Sequence, residues 1–370
     1  MKKLIASIFF VSTILLTAQE GSNYTIKGTP ADVAIDAKNI SMGESFVAYS
    51  NSINSFFENP AAVSGNNLAF FYNYRYHGWN SLLDDMNYFN TGVSVCVPFG
   101  KFAFSYNKFS SGDIFFNNDN NSYKLTSTLF SFILAKDLFD NFTVGFGLKF
   151  FDSKTASTPP GLEDFESNTP ALIDFGILYK VKELVNTSMY KDKLSFGLSV
   201  QNFGTELEEV NLSSPDIVLK NELAKYVRIG FAYETKMILG ERTHTNVDIT
   251  ITGEYYRLLN PGAGEEADVD YWGTGTELKL FNIIALRAGV VVPPTQSVLH
   301  ERGKLNWRYG AGLNYPFNVW GLPLSIYFDY AYIPIPSDDL EINYFNDSSS
   351  KVRSNLYAFS FSISYNGRFF

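Results

Sequence analysis

The stretch Phe142-Thr143-Val144-Gly145-Phe146-Gly147-Leu148-Lys149-Phe150 alternates large apolar residues with small or polar ones at every step. Successive side chains of a strand point to opposite faces, so one face of this segment is greasy and the other is small, polar or charged. The same pattern, in units of about ten residues followed by a turn, recurs from about residue 67 to the end of the chain. In a soluble sheet the greasy face would form a core. Fourteen such strands of near-spanning length point instead to a closed antiparallel barrel whose greasy face meets lipid.

The strands are expected near 67–77, 87–97, 100–110, 122–137, 141–152, 169–181, 193–203, 224–236, 244–257, 269–281, 283–292, 304–315, 322–333 and 353–369. An even count puts both ends of the barrel on one side, which is expected to be periplasmic. The connections alternate in length. Pro98–Gly100, Lys136–Asn141, Phe281–Asn282 and Pro316–Gly321 are short, whereas Gly78–Met86, Ser111–Asn121, Ser153–Asn168, Gly204–Leu223, Leu258–Asp268, Pro293–Gly303 and Pro334–Val352 are long. Lys182–Asp192 is a longish exception on the short side. Outer-membrane barrels sort their loops this way, and a soluble sandwich has no reason to.

Residues 1–18 read as a secretory signal peptide. Lys2 and Lys3 precede an apolar run from Leu4 to Leu16, and Ala18-Gln19 is the expected cleavage point. The run is too short to span a bilayer comfortably as a helix. Aromatic content is 16%, with 34 Phe and 23 Tyr, which suits a lipid-facing wall with interfacial girdles. Charged residues make up only 18%, low for a soluble domain. The net charge of −9, or −11 without Lys2 and Lys3, argues against a nucleic-acid partner. The single cysteine, Cys96, excludes an intrachain disulfide.

Phase assigns the faces. Leu68, Phe70, Tyr72 and Tyr74, Phe102, Phe104 and Tyr106, Leu194, Phe196, Leu198 and Val200 are expected to face lipid. So are Val247, Ile249 and Ile251, Leu324, Ile326 and Phe328, and Phe359, Phe361 and Ile363. Tyr74-Tyr76, Tyr255-Tyr256, Tyr271-Trp272 and Tyr330-Tyr332 collect at strand ends, where a girdle would sit. The fourth strand is ambiguous, because Leu125, Leu129 and Ile133 fall on one phase and Phe130, Phe132 and Leu134 on the other. A bulge or kink would reconcile them and could open a lateral exit through the wall. The opposite phase carries Arg75, Asp174, Arg228, Asp248, Glu254, Arg287, Arg308 and Asp329, with Lys149, Lys180, Glu234, Glu277 and Lys279. Both signs occur in similar number, so these lumen charges are expected to neutralise one another and stiffen the barrel rather than form a selective channel.

No catalytic or cofactor constellation stands out. His77, His244 and His300 lack metal-ligand spacing, and no metal, cofactor or enzymatic activity is expected. Gly273-Thr274-Gly275 lies within a strand and lacks the helix a dinucleotide site needs. Glu265-Glu266-Asp268-Asp270 and Asp338-Asp339-Glu341 read as solvated loop acids. Trp79, Leu82, Leu83 and Met86 place apolar surface at the outer mouth, a candidate site for hydrophobic capture.

Residues 19–66 do not alternate. They are expected to hold short helices near Ala34–Met42 and Ser52–Phe57, the second capped by Asn51 and ended by Asn59-Pro60. Here Ile40-Ser41-Met42-Gly43-Glu44-Ser45-Phe46-Val47-Ala48, Asn51, and Phe56-Phe57-Glu58-Asn59-Pro60-Ala61-Ala62 resemble the start of FadL-like outer-membrane proteins. Those typically read Met-Gly-Gly-Ala-x-Val-Ala, then a polar stretch, then Asn-Pro-Ala. Ala285-Leu286-Arg287-Ala288-Gly289 is similar to a late-strand signature of the PorV/PorQ branch. Glu44 departs from the second Gly of the motif, and Ala37-Lys38 from its usual Ala-Arg.

The resemblance implies a fourteen-stranded barrel, residues 67–370, with residues 19–66 as a periplasmic plug or hatch segment containing Met42, Gly43, Asn59, Pro60 and Ala61. It also implies transport of hydrophobic small molecules of the long-chain fatty acid type. Alternatively, a PorV/PorQ-like component of type IX secretion would bind exported proteins at the cell surface. A general porin is a third reading, against which the plug argues. The expected partners are outer-membrane lipids, the barrel-assembly machinery, and a hydrophobic ligand or secreted protein, around a monomeric barrel.

Overall fold

The computed structural model describes residues 25–26, 29–77, 86–115, 122–158, 164–181, 184–185, 187, 189–216, 218–238, 246–261, 270–292, 305–334 and 355–367. Fourteen long strands make the wall: β1 Leu68–His77, β2 Asn87–Val97, β3 Gly100–Ser110, β4 Ser122–Phe139, β5 Phe142–Thr158, β6 Ala171–Val181, β7 Tyr190–Gly204, β8 Tyr226–Ile238, β9 Asn246–Leu258, β10 Asp270–Leu280, β11 Ile284–Val292, β12 Asn306–Pro316, β13 Leu324–Ile333 and β14 Leu356–Tyr365. Each pairs antiparallel with the next, and β14 closes on β1 from Leu356 opposite His77 to Tyr365 opposite Leu68. Closure leaves the wall with no open edge.

Alternation sets the two faces as the sequence reading expects. On β1, Phe70 and Tyr72 are 53% and 46% exposed, whereas Ala69, Phe71 and Asn73 are buried. Phe104, Phe196, Ile251, Phe328, Phe359 and Phe361 continue the outward apolar belt. Short turns and long loops alternate around the wall, which gives the barrel a turn side and a loop side. At the turn between β10 and β11, Phe281 and Asn282 both adopt left-handed backbone, the conformation a tight hairpin requires.

Two local expectations are corrected. β4 has no bulge or kink in its middle: its pairing runs unbroken from Thr126 to Ala135 with β3 and from Ser122 to Asp137 with β5, with one irregularity at the turn-side end. Its two apolar phases have separate partners. Phe130, Phe132 and Leu134 face outward, while Leu129 and Ile133 are buried on the inner side. The wall's pronounced irregularity lies instead in β7, where the register slips between Val200 and Phe203 and Asn202 takes a positive φ. The girdle assignment also fails at Tyr256, which is buried on the lumen side against Tyr226 and Tyr271.

The N-terminal segment fills the barrel. Asp36 caps a short helix, α1 Ala37–Ser41, accepting from the amides of Lys38 and Asn39. The expected second helix is a single 3₁₀ turn, Ser55–Phe57, preceded by Asn54 rather than capped by Asn51. Pro60 starts a further 3₁₀ turn, Pro60–Ala62, instead of ending one, because a first-turn residue has no amide partner to lose. The direction of the segment also departs from expectation. Thr25–Ile26 pair with Glu222–Leu223 in a small sheet extension that Phe165–Ser167, Leu207–Asn211 and Val218–Leu223 build on the loop side. The chain thus runs from the loop side through the lumen to β1 on the turn side, so its described N-terminal end is not at the same mouth as β14's end.

The lumen and its inner segment as a candidate functional site

Inward-facing positions of the wall meet residues 29–66 in three ways. The first is apolar. Ile53, Phe56 and Val63 pack with Phe71, Ala103 and Ile133. Ala34, Ala37 and Ile40 pack with Ala331, Ile333 and Ala358. Leu129 joins Phe151 and Leu172 against Ala31. These contacts explain why β4 carries apolar residues on its polar phase.

The second is backbone against glycine. A Cβ placed on Gly145 or Gly176 would fall well inside 3.0 Å of the Asn59-Pro60-Ala61 stretch. The same holds for Gly197 against Val47, and for Gly273, Gly275 and Gly289 against Met42-Gly43. Gly43 itself has φ +69 and abuts the backbone of Thr274 and Val290, so both its conformation and its contact exclude a side chain. All five motif residues of the segment (Met42, Gly43, Asn59, Pro60 and Ala61) therefore sit on glycine-lined wall. The pair Gly273 and Gly275, uninformative as a nucleotide motif, forms part of this seat. Asn59 is fully buried. Its amide donates to the carbonyls of Val47 at 2.7 Å and Ile177 at 2.9 Å, and its oxygen accepts from Ala61.

The third is polar. Arg228 bridges Glu58 of the segment, 2.7 Å, and Glu254 of β9, 2.8 Å, with its remaining face on the Tyr256 ring. Its Nε donates to Gln201, whose amide in turn donates to the Phe57 carbonyl. Arg287 joins Glu277 and Asp329 at 2.6 and 2.7 Å, and Lys38 of α1 reaches Glu277 at 3.2 Å. Arg308 pairs with Glu44, and Arg75 donates to the Ala34 carbonyl at 2.6 Å. In the β7 bulge the Asn202 amide donates to Asp174, which Lys149 meets at 2.6 Å. Across β1, β2 and β3 a buried ladder links Asn54 to Asn73, Asn73 to Asn90, Asn90 to Asn107, and Asn107 to the Pro30 carbonyl.

Burial pushes the Asp36 carboxyl up, with Asp329 adding to it. Burial likewise raises Glu58, partly offset by Arg228. Burial also pushes Glu44 upward, but Arg308 and Arg75 outweigh it and hold the carboxyl below its usual range.

Of the expected lumen charges, Arg75, Lys149, Asp174, Arg228, Glu254, Glu277, Arg287, Arg308 and Asp329 therefore join networks around the segment. Asp248 lies apart, 3.5 Å from Lys279, in a polar vestibule of about 900 Å³ that opens below the segment on the turn side. Lys180, Lys193, Glu234, Asp248, Lys279 and Asp329 line it. A second cavity of about 30 Å³, room for about one water, lies between the segment and the wall beside Asn90, Asn107 and Arg228.

No protein-family model and no curated protein matches the sequence. Solved structures do match in shape. A FadL homologue of Pseudomonas aeruginosa superposes with a TM-score of 0.50 at 13% identity, over 93% of this chain and 100% of its own. The toluene transporter TbuX of Ralstonia pickettii gives 0.51 at 11% identity, over 90% and 99%. The CymD monoaromatic hydrocarbon channel gives 0.50 at 10% identity, over 91% and 98%.

The fold is that of the FadL-like outer-membrane barrels.

Within this FadL-like barrel the expected capture residues divide. Trp79, Leu82 and Leu83 lie outside the described residues, as do His244, His300 and most of the loop acids. Met86 is half-buried at the loop-side rim, where it packs with Val33 and Leu125 against Ile35, Tyr88 and Phe109. Sequence reasoning missed the glycine seat and the asparagine ladder. Both had a signal: glycines recur at inward positions of β5, β6, β10 and β11, and Asn73, Asn90 and Asn107 fall seventeen residues apart.

Proposed function

We propose that this chain is an outer-membrane barrel that passes hydrophobic small molecules, with residues 29–66 as the plug that keeps its lumen closed to water and ions. The observation that carries the reading is the seating of the segment's backbone on lumen glycines, beside which the loop-side cavity between segment and wall at Asn90, Asn107 and Arg228 is about 30 Å³. A general porin needs a continuous aqueous path, and this lumen is filled in its loop-side part. Met86, half-buried at the loop-side rim over the buried Tyr88 and Phe109, is a suitable first contact for a greasy ligand. The solved neighbours include proteins described as a toluene transporter and a monoaromatic hydrocarbon channel, which supports a ligand of hydrophobic class. Residues 1–18 act as the signal peptide, the turn side faces the periplasm and the long loops face outward.

The test is uptake of a labelled long-chain fatty acid and of labelled toluene by a deletion strain carrying the wild-type gene or an empty vector. Gene-dependent uptake of either supports the reading and selects the ligand class. Equal uptake of both compounds with and without the gene sinks it. Single-channel recording of the purified barrel separates the porin alternative, which requires steady ion conductance.

A further inference from the structure

On the outward face of β2–β5, close to the turn side, lies an apolar groove of about 320 Å³. Val93 and Val95 form its low wall, Phe102, Phe104, Phe132 and Leu134 rise around it, and the strand backbone at Ala103 and Ile133, whose side chains face the lumen, forms its floor. Phe104 and Phe132 hold their rings 5.1 Å apart in a tilted pair, so the groove is framed by a fixed contact. Its volume is that of about ten units of ~30 Å³, the share of one water or a methylene of similar size. That fits a single alkyl chain.

The foot of the groove is polar in a different way. Gly100 lies beside Leu134 and Phe102 at the lower end of the groove. One step further down the strand, Lys136 faces outward. It is exposed, and among the described residues its ammonium bonds only the Phe99 carbonyl, at 2.7 Å. Lys101 and Asp137, its neighbours across and along the hairpin, pair with each other at 3.0 Å and leave Lys136 without an acidic partner there. Phe99 is 67% exposed, a depth marker for the boundary between hydrocarbon and headgroups. A lone outward ammonium at that depth, below a slot the width of one chain, matches an anionic phosphate joined to an acyl tail.

We infer that this groove is a binding site for one anionic phospholipid of the periplasmic leaflet, its acyl chain lying against the Phe104–Phe132 pair and its phosphate on Lys136. The inference rests on the outer-membrane reading above. The site lies on the lipid face and uses none of the lumen residues, so the lipid is a fixed part of the wall and not cargo.

The experiment places the full-length barrel in nanodiscs of equal phosphatidylglycerol and phosphatidylcholine and reads retained lipid by native mass spectrometry. One phosphatidylglycerol is expected to stay bound, favoured over phosphatidylcholine by about fivefold, the ratio one interfacial cation supplies. Lys136→Glu should abolish that preference, and Val93→Trp, which fills the groove, should lower retention of both lipids. Equal retention of the two lipids by wild type, or retention unchanged by Val93→Trp, overturns the inference. Displacement of the phospholipid by excess free fatty acid also overturns it, by assigning the groove to cargo. Heat-modifiable gel mobility checks that each variant is folded. A barrel that fails to enter the nanodisc breaks the membrane reading instead, so the two failures are distinct.

Discussion

The two ends of the lumen use the same chemistry under different solvents. In the loop-side part, Arg228 is buried with Glu58 and Glu254 at 2.7 and 2.8 Å. In the turn-side vestibule, Lys193 meets Glu234 at 3.2 Å and Lys279 meets Asp248 at 3.5 Å, with side chains up to 31% exposed. Both sets are charge pairs inside one barrel. Only the first is sealed from water, because only there does the N-terminal segment lie backbone to backbone against the wall. Pairs of one type thus hold the segment in the filled part and line a wet cavity in the open part, where Glu234 accepts from Asn51 at the segment's edge.

The sharpest way to break this contrast is to unseat the segment. Gly275→Val or Gly176→Val puts a side chain where Met42 or Asn59 now lies. The expected destabilisation exceeds ~4 kcal/mol, in the range reserved for backbone clashes and overpacking. It reads as a lowered urea midpoint in lipid vesicles. Where the barrel survives, steady ion conductance should appear in a planar bilayer; a native midpoint with a silent bilayer would show that the seat is dispensable.

Arg228→Met comes next, because it leaves two buried carboxylates without their cation. A loss of ~3–5 kcal/mol is expected, and adding Glu58→Gln and Glu254→Gln should restore much of it. Failure of that rescue would mean that Arg228 acts by packing on Tyr256 rather than by charge. Asn90→Ala interrupts the ladder between Asn73 and Asn107 and should cost ~1–3 kcal/mol through buried amides left unmet. Lys193→Gln in the vestibule should cost less than ~1 kcal/mol, and the effect should vanish at high salt. A vestibule variant as damaging as Arg228→Met would erase the distinction between the two ends.

The wall was legible in the chain because each strand carries its own evidence. The alternation along β5 specifies two faces without reference to any distant residue, and the loop lengths repeat that information independently. The segment was legible only in part. Its failure to alternate set it apart, but its path depends on contacts with residues far away in sequence, such as Thr25–Ile26 beside Glu222–Leu223. Leu129 and Ile133 misled for the same reason: they looked like a slip in phase, and they are the wall's half of an apolar contact with a segment about seventy residues or more earlier. Asn202 gave no warning at all. Its left-handed bulge is held by Asp174 and Lys149 from two other strands, and nothing near it in sequence announces them.

The path of the N-terminal segment also constrains how the molecule comes to be built. One end of the segment is tied to β1 at the turn side, while its far end rests at the loop-side rim. A finished cylinder could accept it only by drawing that far end along the whole bore, past aromatic rings and charge clusters that fit it closely. A sheet still open between β14 and β1 imposes no such passage: the strand lies down on an exposed face, the glycine positions receive it, and the seam then shuts around it. On this geometry a seam of the wall, such as that between Leu356–Tyr365 and Leu68–His77, closes after the segment is in place, and the segment serves as the former on which the cylinder is rolled.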